Sequence, residues 1–214
     1  MLIIRACVQM VSKTREKFIE VARQLFARKG VENTTMNDIA SASSKGRRTI
    51  YTYFKSKREI FNAVIASETD QLLDRLRKIV DANDPAAIKL VKYIDCRFDT
   101  MSEIVSRNGS LKAGFFRDVR KVDRARKLIT DKESTLLKTI LQQGKREGVF
   151  RITKVDDASL VITHILHGLD VPYVRDNISK EGVTQEQLKK YTTQLILFGL
   201  SGGSYENKKE NSTE

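Results

Sequence analysis

Arg47, Arg48, Thr49, Tyr51 and Thr52 fall within the short run GRRTIYTYF, where guanidinium and hydroxyl groups alternate with Ile50 and Phe54. At about 100° per residue, a helix through this run puts Ile50 and Phe54 on one side and Arg48 and Thr52 nearly opposite, flanked by Thr49 and Tyr51. One face packs and the other reaches outward. Such an outward face suits a major groove, where arginine bonds a guanine edge bidentately and hydroxyls meet bases or phosphates. The competing reading is a solvated amphipathic helix, which is what most basic stripes are.

The neighbouring elements decide whether this helix is held in a reading position. Thr35 stands before Met36, Ile39 and Ala40, with Asp38 three residues on, an approximate capping box that predicts a helix from about Met36 to Ser43. Ser44-Lys45-Gly46 then supplies turn formers, with glycine free to take a positive φ. Upstream, TREKFIEVARQLFARKG places Phe18, Ile19, Ala22, Leu25 and Phe26 at helical spacing and stops at Gly30, so this helix can roof the pair. Downstream, Ser56 caps a further helix with Lys57, Arg58 and Glu59 in its first turn and Ile60, Phe61, Val64 and Ile65 on its buried side. The free amides of that helix and Lys57 suit a phosphate.

At this point the chain closely resembles the TetR family of bacterial transcriptional regulators, through F-x-x-x-G at Phe26 to Gly30, TTMNDIA at Thr34 to Ala40 and TIYTYF at Thr49 to Phe54. Lys57 of FKSK fits as well. The resemblance covers residues 12–72, the helix-turn-helix itself being 35–54, and implies an N-terminal three-helix DNA-binding domain. Members usually carry an apolar residue before the recognition helix with glycine ahead of it, where this chain has Lys45 and Ser44. Arg48 stands where many members have glycine. The usual contact pattern therefore does not transfer whole, and the operator stays open. Geometry and resemblance together assign base contacts to Arg47, Arg48 and Thr49, and phosphate contacts to Thr35, Tyr51, Tyr53 and Lys57. Lys45 is counted with them, against the competing reading of a solvated charge, which is preferred for Lys55. For Tyr51 the competing reading is an ordinary packing aromatic with its hydroxyl at the surface.

Composition agrees with an anionic partner. The 214 residues suffice for one large or two small domains, 40% of them are hydrophobic, and the formal charge is +12. Nucleic acid ranks ahead of membrane, because no apolar basic helix stands apart from a core pattern. Only two cysteines occur, Cys7 and Cys96, in no CxxC or Cys/His cluster, so neither a disulfide framework nor a zinc site is expected and a reducing cytoplasm is. MLIIRACVQM is too short and too interrupted for a membrane span. Because Met10 directly precedes VSKTREKF, the first nine residues read as an extension; the alternative, an arm touching DNA, rests on the single cation Arg5.

Residues 73–200 read as a larger helical domain, giving an all-α chain, and 201–214 as a flexible polar tail. Ile88, Val91, Ile94, Phe98, Met101 and Val105 recur three or four apart after Pro85, and Asn108-Gly109 breaks that helix. A helix from Val122 to Arg146 follows. Asp156 to Val171 is apolar over most of its circumference, through Leu160, Val161, Ile162, Ile165, Leu166 and Leu169, and Leu188 to Leu200 is similar. Helices of that kind must be buried, and a subunit interface buries them. The resemblance implies the same, since the last two helices of such proteins form a homodimer's four-helix interface; Ile162, Ile165, Leu166, Leu169, Leu195 and Phe198 are the candidates.

The resemblance also implies a small-molecule effector held between the middle helices, whose binding spreads the DNA-reading heads. Phe98, Met101, Phe115, Phe116 and His164 are candidate lining residues, with plain core as the competing reading. His164 and His167, at i and i+3, lack the further ligands a metal needs, so no metal and no cofactor are expected. The basic cluster Arg117, Arg120, Lys121, Arg124, Arg126 and Lys127 suits an anionic effector, but a solvated face is the preferred reading. The leading functional expectation is a homodimeric repressor of double-stranded DNA released by an effector. The alternatives are a regulator without an inducer, partner-controlled or an activator, and an enzyme on a helical scaffold. For the enzyme there is no G-x-S-x-G, phosphate-loop or H-E-x-x-H pattern.

Overall fold

The computed structural model describes residues 2–108, 119–175 and 178–202. Among the described residues eight α-helices follow one another: α1 (Leu2–Lys29), α2 (Met36–Ala42), α3 (Arg47–Tyr53), α4 (Lys57–Asp81), α5 (Ala86–Asn108), α6 (Val119–Arg146), α7 (Val155–Arg175) and α8 (Gln185–Ser201). A 3-10 turn at Ile178–Glu181 separates the last two, and the all-α expectation holds. Because α1 starts at Leu2, the residues read above as an extension are continuous with the first helix. The chain divides into two compact units, Met1–Arg75 with Asp99–Lys132, and Leu76–Phe98 with Glu133–Glu214. The first unit thus takes in more chain than the 12–72 head expected from sequence.

In the first unit, α2 and α3 are seven residues each, too short to form alone. They are held by a shared core. Phe18, Ile19, Ala22 and Phe26 of α1 meet Met36, Ile39 and Ala40 of α2, Ile50 and Phe54 at α3, and Ile60 and Val64 of α4. Burying each large apolar side chain contributes about 1.5–3 kcal/mol, which outweighs the poor intrinsic stability of such short helices. The spacing that predicted helices also selected these inward faces. Across the same unit Glu68 of α4 is buried and ion-paired to Arg107 of α5, while Arg75 of α4 reaches Glu103 of α5 at 2.8 Å.

The turn between α2 and α3 departs from expectation. Ser44 takes the positive φ, 55°, whereas Gly46 sits at −70° in extended conformation as the residue capping α3. Ser44 occupies the place where the resemblance noted above implies glycine, and the backbone there adopts the left-handed region that glycine takes freely.

In the second unit Leu90, Tyr93, Ile94 and Phe98 of α5 are buried with Leu137, Ile140 and Leu141 of α6, Phe150 of the segment after α6, Ile162, Leu166 and Tyr173 of α7, and Ile196 and Leu200 of α8. A Cβ added to Gly144 of α6 would collide with the Phe150 ring, so the glycine is what lets that ring lie against the helix. Thr184 and Gln187 form a reciprocal capping box that opens α8. Arg97 is buried in this unit with a bidentate pair to Asp170 at 2.7 and 3.0 Å and a bond to Glu133 at 3.1 Å. Glu133 also bonds His167. Burial alone would push the Glu133 carboxyl up, but Arg97 and His167 outweigh it and hold it below the usual range.

Candidate nucleic-acid interface

The candidate reading face is built on α3. Ile50 and Phe54 are buried and fix the helix against α1, α2 and α4, so the opposite side must face solvent. Arg47, Arg48 and Thr52 are exposed there, Tyr51 is 44% exposed, and Thr49 is half-buried. The Arg47 guanidinium lies over the Tyr51 ring, 5.9 Å from its centroid, a cation–π contact one helical turn long. Thr52 spends its hydroxyl proton on the carbonyl of Thr49 at 2.7 Å, which leaves its oxygen as an acceptor only. Arg47 and Arg48 thus supply the outward donors at the start of α3.

The remaining sequence-predicted residues surround this face. Thr35 is exposed; its hydroxyl oxygen accepts the Asp38 N–H at 3.1 Å, and the Asp38 carboxylate accepts the Thr35 N–H at 2.9 Å. Lys45 is exposed in the turn. Tyr53 is half-buried, its ring tilted against Phe18 with centroids 5.6 Å apart, so its position is set by α1. Lys57 is half-buried and directs its ammonium to the carbonyls of Val31 and Glu32 at 2.7 and 3.1 Å, which ties α4 to the turn after α1 and leaves one proton for another acceptor.

Electrostatics around the cap of α2 are pinned as well. Lys29 donates to Asp38 at 2.9 Å and, with the Thr35 backbone and side chain, pulls the Asp38 carboxyl down to about 2. The carboxylate at this helix start is therefore charged near neutral pH, where it accepts from Lys29 and the Thr35 backbone. Arg15 of α1, not singled out from sequence, is exposed and places its guanidinium 5.2 Å from the centroid of the Phe54 ring at the far end of α3. The signal for it was its position one turn before Phe18 on the packed side of α1.

Other candidates are more scattered. Phe98 is fully buried in the second unit with its ring 4.8 Å from that of Tyr173, whereas Met101 is half-buried and belongs to the first. His164 is exposed on α7, its ring 6.4 Å from the buried His167, and Phe115 and Phe116 lie outside the described residues, as does the side-chain detail of the Arg117–Lys127 cluster. Of the interface candidates, Ile165, Leu195 and Phe198 are exposed, at 45%, 72% and 69%, and Leu169 is half-buried. Ile162 and Leu166, by contrast, are buried inside the second unit. The exposed apolar face of α7 is carried by Leu160, Val161 and Ile165, because the helix turns its Ile162/Leu166 stripe toward the core. Among the described residues no group of three or more His, Cys, Asp or Glu is placed to hold a metal ion, and no helix is long and apolar enough to cross a membrane.

Residues 18–64 match the model for bacterial regulatory proteins of the tetR family. The chain is 34% identical over 83 residues to "Uncharacterized HTH-type transcriptional regulator YfiR" of Bacillus subtilis (strain 168), covering 39% of this chain and 40% of that one. It is 48% identical over 50 residues to "Probable acrEF/envCD operon repressor" of Escherichia coli (strain K12), covering 23% of each. The chain thus spans 40% or less of these curated relatives. Among solved structures it is similar to a transcriptional regulator from Cytophaga hutchinsonii ATCC 33406, with a TM-score of 0.71 and 25% identity over 87% of this chain and 97% of that one.

Proposed function

We propose that this chain is a member of the tetR family of bacterial regulatory proteins and a sequence-specific DNA-binding transcriptional regulator that acts as a homodimeric repressor, a reading supported by the family match over residues 18–64 and by the similar relatives. The observation that carries the reading is the outward face of α3, where Arg48 and Thr52 are exposed nearly opposite the buried Ile50 and Phe54, with Arg47 and Tyr51 exposed beside them. In this reading Arg47, Arg48 and Thr49 contact base edges, and Thr35, Lys45, Tyr51, Tyr53 and Lys57 contact the phosphate backbone. Two such helices, held roughly 34–36 Å apart in a dimer, read successive major grooves of a pseudo-palindromic operator. Residues 12–72 serve as the reading head and 73–200 carry association and effector response.

The dimer reading is supported by the apolar residues that α7 and α8 leave in solvent, Leu160, Val161, Ile165, Tyr191, Leu195 and Phe198, a patch expected to be covered by a second copy. Repression is supported by the name of the Escherichia coli relative, and release by a small molecule rests on the family resemblance. The test is selection from a random double-stranded library by the purified chain at stated salt. A recovered pseudo-palindrome is expected. Salt-sensitive binding with no preferred sequence would remove base reading from α3 and end the proposal of sequence specificity.

A further inference from the structure

The cation at the far end of the reading helix comes from outside the helix-turn-helix. Arg15 lies on α1, three residues ahead of the family match that begins at residue 18. One turn later Phe18 is fully buried with its ring tilted against Tyr53, so this side of α1 runs directly along the end of α3. There Arg15 is exposed, and its guanidinium is held 5.2 Å from the centroid of Phe54, the residue that terminates α3. Phe54 itself is 1% exposed and immobilised in the core, so the charge rests on a rigid platform. A guanidinium lying on a ring face still presents its edge N–H groups, five donors in a planar fork, to an outside acceptor.

The expected phosphate-binding cation Lys57 is already partly committed. Lys57 commits two of its three protons to the carbonyls of Val31 and Glu32. The neighbouring acid Glu59 accepts from the Lys55 backbone N–H at 2.6 Å and is turned toward its own helix start. The end of α3 therefore presents the Arg15 guanidinium, the Lys55 side chain, which is exposed, and the hydroxyl of Tyr53, whose ring is tilted against Phe18.

We propose that Arg15 is a phosphate-backbone contact: α1 delivers a pre-positioned guanidinium to the DNA strand at the C-terminal end of α3, while Arg47 and Arg48 engage the groove at its N-terminal end. The inference rests on the DNA-binding reading and extends the contact surface to a residue that neither the helix-turn-helix nor the family match includes. Holding the guanidinium on Phe54 lowers the conformational entropy lost on contact, which is the advantage of a stacked arginine over a free lysine at this place.

The experiment measures the dependence of the binding constant on salt for the full chain and its Arg15→Gln and Arg15→Lys variants, on a selected operator and on an unrelated duplex. Each phosphate neutralised contributes about 0.9 to the slope of log K against log salt, so Arg15→Gln is expected to reduce the slope by about 2 for a dimer, equally on both DNAs. Arg15→Lys is expected to keep most of it. A structural lid over Phe54 predicts something else: Arg15→Gln lowers the urea midpoint and leaves the slope unchanged, and that result overturns the proposal. An unchanged slope with unchanged stability overturns it too. If the unsubstituted chain shows no salt-dependent binding to either duplex, the DNA-binding reading fails first and the inference falls with it.

Discussion

The ammonium of Lys57 donates to the carbonyl of Val31 at 2.7 Å, joining the first turn of α4 to the segment that connects α1 and α2. The residue is 26 positions away in sequence, so the bond is a tertiary tie within the reading head. Lys57 fastens the head, and in the proposed reading it also offers its remaining proton to DNA. Lys57→Met is expected to lower the stability of the chain by about 1.5 kcal/mol, the scale of a hydrogen bond to a charged group, and to weaken binding to all sequences alike. Lys55→Met, at an exposed side chain, is expected to leave the melting temperature unchanged. Equal melting curves for the two variants would remove the fastening role.

Arg47 and Tyr51 form the second pair with a measurable consequence. The ring under the guanidinium restricts its rotamers before DNA arrives, and base discrimination benefits from a donor already aimed. Arg47→Ala is expected to cost about 1–3 kcal/mol of preference at one base position. Tyr51→Leu should lose about 0.5–1 kcal/mol concentrated at that same position, with the double variant non-additive. Tyr51→Phe separates the two roles of the residue. It keeps the ring, so preference survives, while loss of the hydroxyl weakens all sequences together if that group meets a phosphate. Additive losses for Arg47→Ala and Tyr51→Leu would show the ring contact to be idle in the complex.

What the sequence made legible and what it hid differ by range. The Thr35–Asp38 cap, the inward Phe18, Ile39 and Ile50, and the break before Arg47 all follow from relations within one or two helical turns, and the structure repeats them. Which residue of Ser44-Lys45-Gly46 takes the positive φ depends on where α3 docks, and composition pointed to glycine rather than Ser44. The side of α7 that faces inward was equally hidden, because a helix apolar nearly all round has no periodic signal; Ile162 and Leu166 went in and Val161 and Ile165 stayed out. The Arg97 cluster lay beyond reach for a different reason. Its partners Glu133 and Asp170 stand 36 and 73 residues away, and no local rule pairs them.

That cluster makes stability depend on pH in a stated direction. The Glu133 carboxyl is held below its usual range, against its burial, by Arg97 and His167. A carboxyl depressed in the folded state contributes stability that is fully present above the ordinary glutamate range and is lost as pH falls through the lower folded value. Acid unfolding should therefore begin below that range. Arg97→Met strands the buried Asp170 and Glu133 charges and is expected to cost about 3–5 kcal/mol near neutral pH and to move the acid limb upward. Urea midpoints across pH measure both. A variant with the same midpoint and the same acid limb would mean that water or rearranged neighbours satisfy the two carboxylates without the guanidinium.

The proposed dimer can be tested without disturbing the monomer fold, because adjacent residues of α8 face opposite ways. Leu195 is 72% exposed and Ile196 is 8% exposed. A charge at Leu195 meets solvent in the isolated chain and costs little there, whereas in a four-helix interface it is desolvated without a partner. Leu195→Glu is therefore expected to sediment as a monomer with undiminished helical signal, while Ile196→Glu loses the helical signal itself. Operator binding should fail in Leu195→Glu even though α3 is untouched, since a single reading head lacks the second half-site. Retained dimers in Leu195→Glu would place association elsewhere on the chain. A monomer that still binds the operator as tightly would show that one head suffices, and the pseudo-palindrome would no longer be required.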